Sequence, residues 1–226
     1  VRLAASSFIS MRDRIARHLS QRTALLAGVS HDLRTPLTRM KLELAMQGSL
    51  PGVDALKQDV VDMERMVDAY LAFARGEEGE KAEPTDIGKL ITDQVGEALR
   101  DGQQIDLHIA DSLEMELRPQ SVRRCLANIM SNAGRYANNL SVRAGRRGQD
   151  YEIVFDDDGP GIPADKREDV FKPFYRLEES RNQATGGVGL GMTIARDSAR
   201  GHGGDVYLED APGGGLRVRL VLPIGH

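Results

Sequence analysis

Apolar residues recur along this chain at Ile15, Leu19, Leu26, Val29, Leu33, Leu37, Met40 and Leu44, in steps that alternate mostly between three and four. That spacing follows the 3.6-residue period and predicts a long amphipathic helix. Gly48-Ser49-Leu50-Pro51-Gly52 then breaks the pattern as a tight turn. A second stripe follows at Leu56, Val60, Met63, Val67, Tyr70 and Ala74, stepping by four and three as a heptad seam does. Two helices joined by so short a turn form an antiparallel hairpin. Narrow stripes over about 70 residues cannot bury enough surface in one copy. The simplest completion pairs two hairpins by two-fold symmetry into a four-helix bundle, which predicts a homodimer. Packing of the stripes against the rest of the same chain is the alternative.

Charge follows the same division. Residues 1–50 hold 8 basic and 3 acidic side chains, and residues 51–80 hold 3 basic and 8 acidic. A basic helix against an acidic one fits the hairpin, as do two separately solvated faces. The net charge of the 226 residues is -4, which argues against a nucleic-acid binder driven by bulk positive charge. The single cysteine excludes an internal disulfide framework. No apolar run approaches the roughly 18 residues of a membrane span. With no Trp and 4% aromatic residues, aliphatic side chains must fill the core.

Gly76 to Asp86 is acidic and punctuated by Gly and Pro, and reads as an interdomain linker. Beyond it the pattern changes to helices over 87–99, 119–136 and 190–200, with strands over 105–109, 113–117, 140–144, 151–155, 206–208 and 216–222. Helices mixed with mostly antiparallel strands over about 140 residues predict one α/β sandwich domain.

Four clusters carry chemistry. His31 stands two residues before Leu33, about 200° around the helix, so it faces off the seam. Asp32 adjoins it, and Thr35 lies one turn on, on the same face. An imidazole with an ordinary pKa of about 6.5 is largely neutral and nucleophilic at pH 7. A neighbouring carboxylate can take or orient its other ring proton. Pro36 predicts a kink just beyond. From spacing alone, a surface histidine beside a helix-bending proline is the competing reading. Asn128 and Asn132 lie four apart on one helix face, with Arg135 and Tyr136 one turn later. Amide oxygens are hard ligands suited to Mg²⁺ beside phosphate, although an Asn pair also serves in caps and polar networks. Asp157-Asp158-Gly159-Pro160-Gly161 ends a strand, where a carboxylate can accept from an exocyclic amine. Gly186-Gly187-Val188-Gly189-Leu190-Gly191 opens a helix whose N–H groups can meet phosphates. A long polar segment precedes it instead of a strand, so a dinucleotide fold is excluded. Turns alone would also explain either glycine patch.

In this order the pieces resemble the catalytic core of a bacterial sensor histidine kinase. The H box is His31-Asp32-Leu33-Arg34-Thr35-Pro36-Leu37, and the N box runs from Asn128 to Tyr136. The first glycine box is Asp157-Asp158-Gly159-Pro160-Gly161, and the F box is Phe171-Lys172-Pro173-Phe174. The second glycine box is Gly187-Val188-Gly189-Leu190-Gly191. The stretch from Leu26 to Arg39 is most similar to the EnvZ-type osmosensor kinases, and residues from about Phe8 to Leu19 resemble the last helix of a HAMP linker.

The resemblance implies four parts. They are the end of a HAMP linker helix over 1–19, a dimerisation and histidine-phosphotransfer domain over 20–76, a linker over 77–86, and a Bergerat-type (GHKL) ATP-binding domain over 87–226. It implies that His31 accepts the γ-phosphoryl group of ATP, with Asp32 as base or orienting partner, and passes it to a response-regulator aspartate. Thr35 matches the position that places water for dephosphorylating the regulator, which implies a bifunctional kinase and phosphatase. Asn132 would ligate Mg²⁺ with Asn128 in support, and Asp157 would read the adenine amino group. Arg135, Tyr136, Gly159, Gly161, Val188, Gly189, Leu190, Gly191 and Met192 would complete the nucleotide site. Residues from about Ala164 to Gly186 would form a lid, with Arg176 and Leu177 near the nucleotide. The expected regulator is OmpR-like, and the expected location is the cytoplasmic portion of an inner-membrane sensor whose membrane segments lie upstream. Four positions depart from the family pattern. Arg124 stands where many members carry Glu, Val188 replaces a common Thr, Met192 a common Leu, and Arg135 a common Lys.

Overall fold

The computed structural model describes residues 11, 33, 35–46, 53, 56–61, 63, 64, 67, 80–177 and 189–225. The chain divides into two units, Val1–Gly76 and Glu77–His226.

In the first unit, residues 35–46 and 56–61 are helical. Leu37, Val53 and Val60 are buried, whereas Leu33, Met40, Leu56 and Met63 are 44%, 47%, 52% and 40% exposed. Of the eight described residues of the two stripes, these four are exposed within one copy. Lys41 Nζ lies 2.8 Å from a Glu64 carboxylate oxygen, tying the basic segment to the acidic one as a hairpin would. His31, Asp32 and the glycine-proline turn lie outside the described residues. No helix among the described residues is long and apolar enough to cross a membrane.

The second unit runs β1 (Glu83–Asp86), α1 (Ile87–Arg100), β2 (Gln104–Ile109), β3 (Glu114–Leu117), α2 (Pro119–Tyr136), β4 (Asn139–Arg147), β5 (Asp150–Asp157), α3 (Gly191–Gly201), β6 (Asp205–Asp210) and β7 (Leu216–Pro223). Short 3₁₀ turns at Ala164–Lys166 and Asp169–Phe171 precede α3. The main sheet has the order β2-β4-β5-β7-β6, and β1 pairs with β3 in a separate ribbon. Only β2–β4 is parallel in the main sheet. The chain between those two strands crosses over through α2, as parallel pairing requires.

Strand alternation decides what faces the helices. Along β5, Tyr151, Ile153, Phe155 and Asp157 are buried on one face. On the other face Glu152 and Asp156 pair with arginines of neighbouring strands: Arg143 and Arg217 with Asp156, Arg147 and Arg219 with Glu152. An antiparallel sheet with one solvated face has this pattern. The buried face meets Leu90, Ile91, Leu126, Ile129, Met130 and Ala195 in one aliphatic core.

The expected linker is corrected at its C-terminal end. Residues 83–86 form β1, which pairs antiparallel with β3 from Glu83↔Leu117 to Asp86↔Glu114. Asp86 then caps α1 by accepting from Lys89 N at 2.9 Å. Before them, Glu80 accepts from Gln120 N at 2.6 Å and from Ser121 N at 3.0 Å, so its carboxylate caps α2. An acidic, proline-containing stretch is thus stitched into the domain, and Pro84 is tolerated because β1 lies at a ribbon edge.

Candidate functional site

Helix α2 supplies one wall of the site. Pro119 occupies its first turn, where a missing N–H costs nothing. Its contact with α3 uses small groups. The Ser121 and Ser198 hydroxyls bond to each other, and Cys125 Sγ donates to Ala195 O at 3.4 Å. Burial pushes the Cys125 thiol up to about 12, so it packs as an apolar group and not as a nucleophile. At the far end, Arg118 N donates to His202 Nε2 at 3.0 Å, and His202 Nδ1 lies 2.7 Å from Ser198 O. Because Nε2 accepts, the ring proton sits on Nδ1. Burial lowers the His202 pKa below its ordinary 6.5.

One ridge of α2, repeating every four residues, carries Asn128, Asn132 and Tyr136. Asn128 Nδ2 donates to Arg124 O at 2.8 Å. Its Oδ1 faces the start of α3, where a Cβ on Gly191 would stand 3.2 Å away. Among the described residues no side chain caps α3, whose first helical bond runs from Ile194 N to Leu190 O at 2.9 Å. The N–H groups of its first turn are therefore available to an anion. Asn132 is half-buried, while Arg135 and Tyr136 are exposed.

Asp157 closes the other end. It is 8% exposed, and its Oδ1 accepts from Gly159 N at 2.9 Å and Leu216 N at 3.0 Å, leaving Oδ2 outside both bonds. Gly159 lies against α2, since a Cβ there would meet Tyr136 O at 2.8 Å. Gly215, with φ +91, lets β7 approach so closely that a Cβ would stand 2.0 Å from Asp157 O. Gly161, with φ +71, faces Gly215 O. Sequence reasoning missed Gly215, although the Gly213-Gly214-Gly215 run before β7 was a signal. Asp158 points the opposite way and clamps the turn after α2, accepting from Asn138 N at 2.8 Å and from Asn139 N and Nδ2. The Asn139 bonds hold its carboxyl below the usual range.

The F box meets the second glycine box. Phe174 N donates to Gly189 O at 2.9 Å, and a Cβ on Gly189 would stand 2.9 Å from both Phe174 C and Tyr175 O. Both residues take positive φ, 65 at Phe174 and 75 at Gly189. Thr193 Oγ1 donates to Phe171 O at 2.9 Å, and the Arg196 guanidinium lies 4.1 Å from the Phe171 ring centroid.

Leu190 and Met192 are buried, at 2% and 8% exposure. Arg176 is exposed and Leu177 half-buried, continuing directly from Tyr175. Thr35 is helical and exposed. Val188, His31 and Asp32 fall outside the described residues. Asn128, Tyr136, Asp157, Gly159, Gly161, Gly189 and Gly191 are brought together around α2, the end of β5 and the start of α3.

Comparison with known proteins adds to this geometry. Residues 21–79 match the family described as His Kinase A (phospho-acceptor) domain. Residues 118–226 match the family described as histidine kinase-, DNA gyrase B-, and HSP90-like ATPase. The chain is 33% identical over 220 residues to the sensor histidine kinase GtrS of Pseudomonas aeruginosa, covering 97% of this chain and 46% of that protein. It is 30% identical over 233 residues to the sensor histidine kinase CpxA of Escherichia coli, covering 98% and 51%. Among solved structures, the histidine kinase domain of the E. coli osmosensor EnvZ superposes with a TM-score of 0.51 at 29% identity, covering 65% of this chain and 91% of that one. The chain spans about half the length of the curated relatives it matches.

Proposed function

The chain belongs to the sensor histidine kinases, and from that premise we propose that it is the ATP-dependent autophosphorylating core of a two-component sensor. One observation carries the reading. Asp157 is held by two backbone N–H bonds beside Gly159 and Tyr136, and the uncapped start of α3 stands beside Asn128 further along the same helix. A nucleotide lying along α2 meets a carboxylate at its base and free N–H donors at its phosphates.

In this reading Asp157 Oδ2 accepts from the adenine amino group. Gly159 and Gly161 let the backbone approach the base, and Tyr136 borders it. Asn128, Arg135 and the Gly189–Met192 backbone line the phosphates, with Arg176 and Leu177 at the lid end and Val188 in the second glycine box. No group of three or more His, Cys, Asp or Glu side chains among the described residues could hold a metal alone. Mg²⁺ keeps waters and leans on substrate phosphates, and Asn132 would hold it with an amide oxygen. When bound, Mg²⁺ neutralises charge on the phosphoryl oxygens.

His31 attacks the γ-phosphorus through the ring nitrogen that bears its lone pair. The bond to the bridging oxygen breaks, ADP leaves, and Asp32 takes the proton from the other ring nitrogen. The phosphoryl group then passes to an aspartate of a response regulator of the OmpR-like class. Thr35 orients the water that later removes it from the regulator, which makes the protein a phosphatase as well as a kinase. A second copy covers the exposed seam of Leu33, Met40, Leu56 and Met63, giving a homodimer. The core serves as the cytoplasmic part of an inner-membrane sensor.

The test is incubation with γ-labelled ATP. Wild-type chain acquires acid-labile, alkali-stable label and His31→Gln does not; label that persists in the variant overturns the assignment.

A further inference from the structure

We propose that Arg124 is the residue of this chain that recognises the terminal phosphoryl group and so distinguishes ATP from ADP. The inference rests on the nucleotide reading above. Arg124 stands one turn before Asn128 and two before Asn132, on the same ridge of α2. The ridge has a direction. Tyr136, beside Gly159 and Asp157, marks the base end, and Asn128, beside Gly191, marks the phosphate end. At 1.5 Å per residue the step from Tyr136 to Asn128 is about 12 Å, and Arg124 lies about 6 Å beyond it. A nucleotide running along the helix in that sense presents its last phosphoryl group to Arg124.

One donor of this side chain has no partner within the protein. Arg124 Nε is buried and has no hydrogen-bond partner. The adjacent Arg123, by contrast, lies 3.7 Å from a carboxylate oxygen of Asp93. A guanidinium cannot shed its charge, so a buried N–H without an acceptor is unfavourable and calls for one. Its planar fork of donors suits a phosphoryl group, which accepts in a bidentate manner and carries the opposite charge. Because ADP lacks the terminal phosphoryl, contact with Arg124 favours the substrate and eases release of the product.

The experiment is titration of the full chain, with Mg²⁺, by ADP and by a non-hydrolysable ATP analogue, followed calorimetrically. Arg124→Ala is expected to weaken the analogue about tenfold, the scale of a lost charge-assisted hydrogen bond, and ADP less than about twofold. Arg124→Gln, uncharged and close in shape, should show the same selectivity, and Arg124→Lys should retain part of the preference. Nucleotide-free Arg124→Ala should unfold no earlier than wild type, because it removes an unpaired donor. Equal weakening of both nucleotides, or of neither, overturns the role of Arg124 while leaving the nucleotide site standing. Wild-type chain that binds neither nucleotide removes the site itself and Arg124 with it.

Discussion

Replacing Glu80 tests whether the segment entering the second unit is part of that domain. Its carboxylate takes Gln120 N at 2.6 Å and Ser121 N at 3.0 Å. The two amides differ in their access to water. Gln120 is exposed, so solvent can replace one bond, but Ser121 is fully buried at 0%. In Glu80→Ala the Ser121 N–H loses this acceptor, which costs about 1–3 kcal/mol. Loss of a negative charge at the positive end of α2 adds about 0.3–1 kcal/mol. The sum, about 1–4 kcal/mol, lowers the melting temperature of a domain this size by about 3–16 °C. Glu80→Gln keeps an acceptor oxygen without the charge and should lose roughly half as much. Differential scanning calorimetry of the full chain reads the first effect. Hydrogen exchange at residues 119–122 reads the second, because the freed amides of the first turn should lose protection. A melting temperature within about 1 °C of wild type, with unchanged exchange there, would refute the capping argument.

Three further outcomes follow from the geometry. Asp157→Asn keeps an oxygen for Gly159 N and Leu216 N but puts a donor where the adenine amino group would sit. It should weaken ATP about 30-fold by equilibrium binding while shifting the melting temperature little, and equal affinity would separate Asp157 from nucleotide recognition. The lowered pKa of His202 means that the unfolded chain binds a proton more readily, so stability is full above about 6.5 and falls as pH drops through the depressed value. Urea midpoints between pH 5 and 8 should show this slope in wild type and a flatter one in His202→Asn; parallel slopes would exclude His202. Charging the exposed seam with Met40→Glu and Met63→Glu should convert a two-chain species to a one-chain species in light scattering, and an unchanged mass would place the dimer contact elsewhere.

What the sequence made legible was local. The stripe of α2 and the alternation of β5 were readable from spacing, because burial repeats with the helical and pleat periods. The residues of the two glycine boxes and the N box were readable as short motifs, and in the structure Gly159 lies against Tyr136 and Gly191 against Asn128. The missed features all depend on distant partners. Glu80 caps an amide 40 residues away, β1 pairs with residues about 31 positions on, and Gly215 supports a carboxylate 58 positions before it. Neither composition nor periodicity encodes such partners, and a four-residue strand containing Pro84 resembles a linker in every local respect. The burial of Leu190 and Met192 is likewise set by distant packing that the short motif does not encode.

The route by which β5 gains its neighbours has a kinetic consequence. It pairs with β4 across a two-residue turn at Gly148 and Gln149, a contact that forms without closing a long loop. Its pairing with β7 joins Asp156 to Arg217, and the Leu216 bond to Asp157 spans 59 residues. Closing so long a loop carries the larger entropic barrier, so this seam is expected to form after the β4–β5 hairpin. The carboxylate assigned to the adenine is therefore held by a contact expected to follow the local pairing. A nucleotide bound there acts as a clasp on that seam, and its grip should register as slower unfolding and as resistance of the β5–β7 junction to protease.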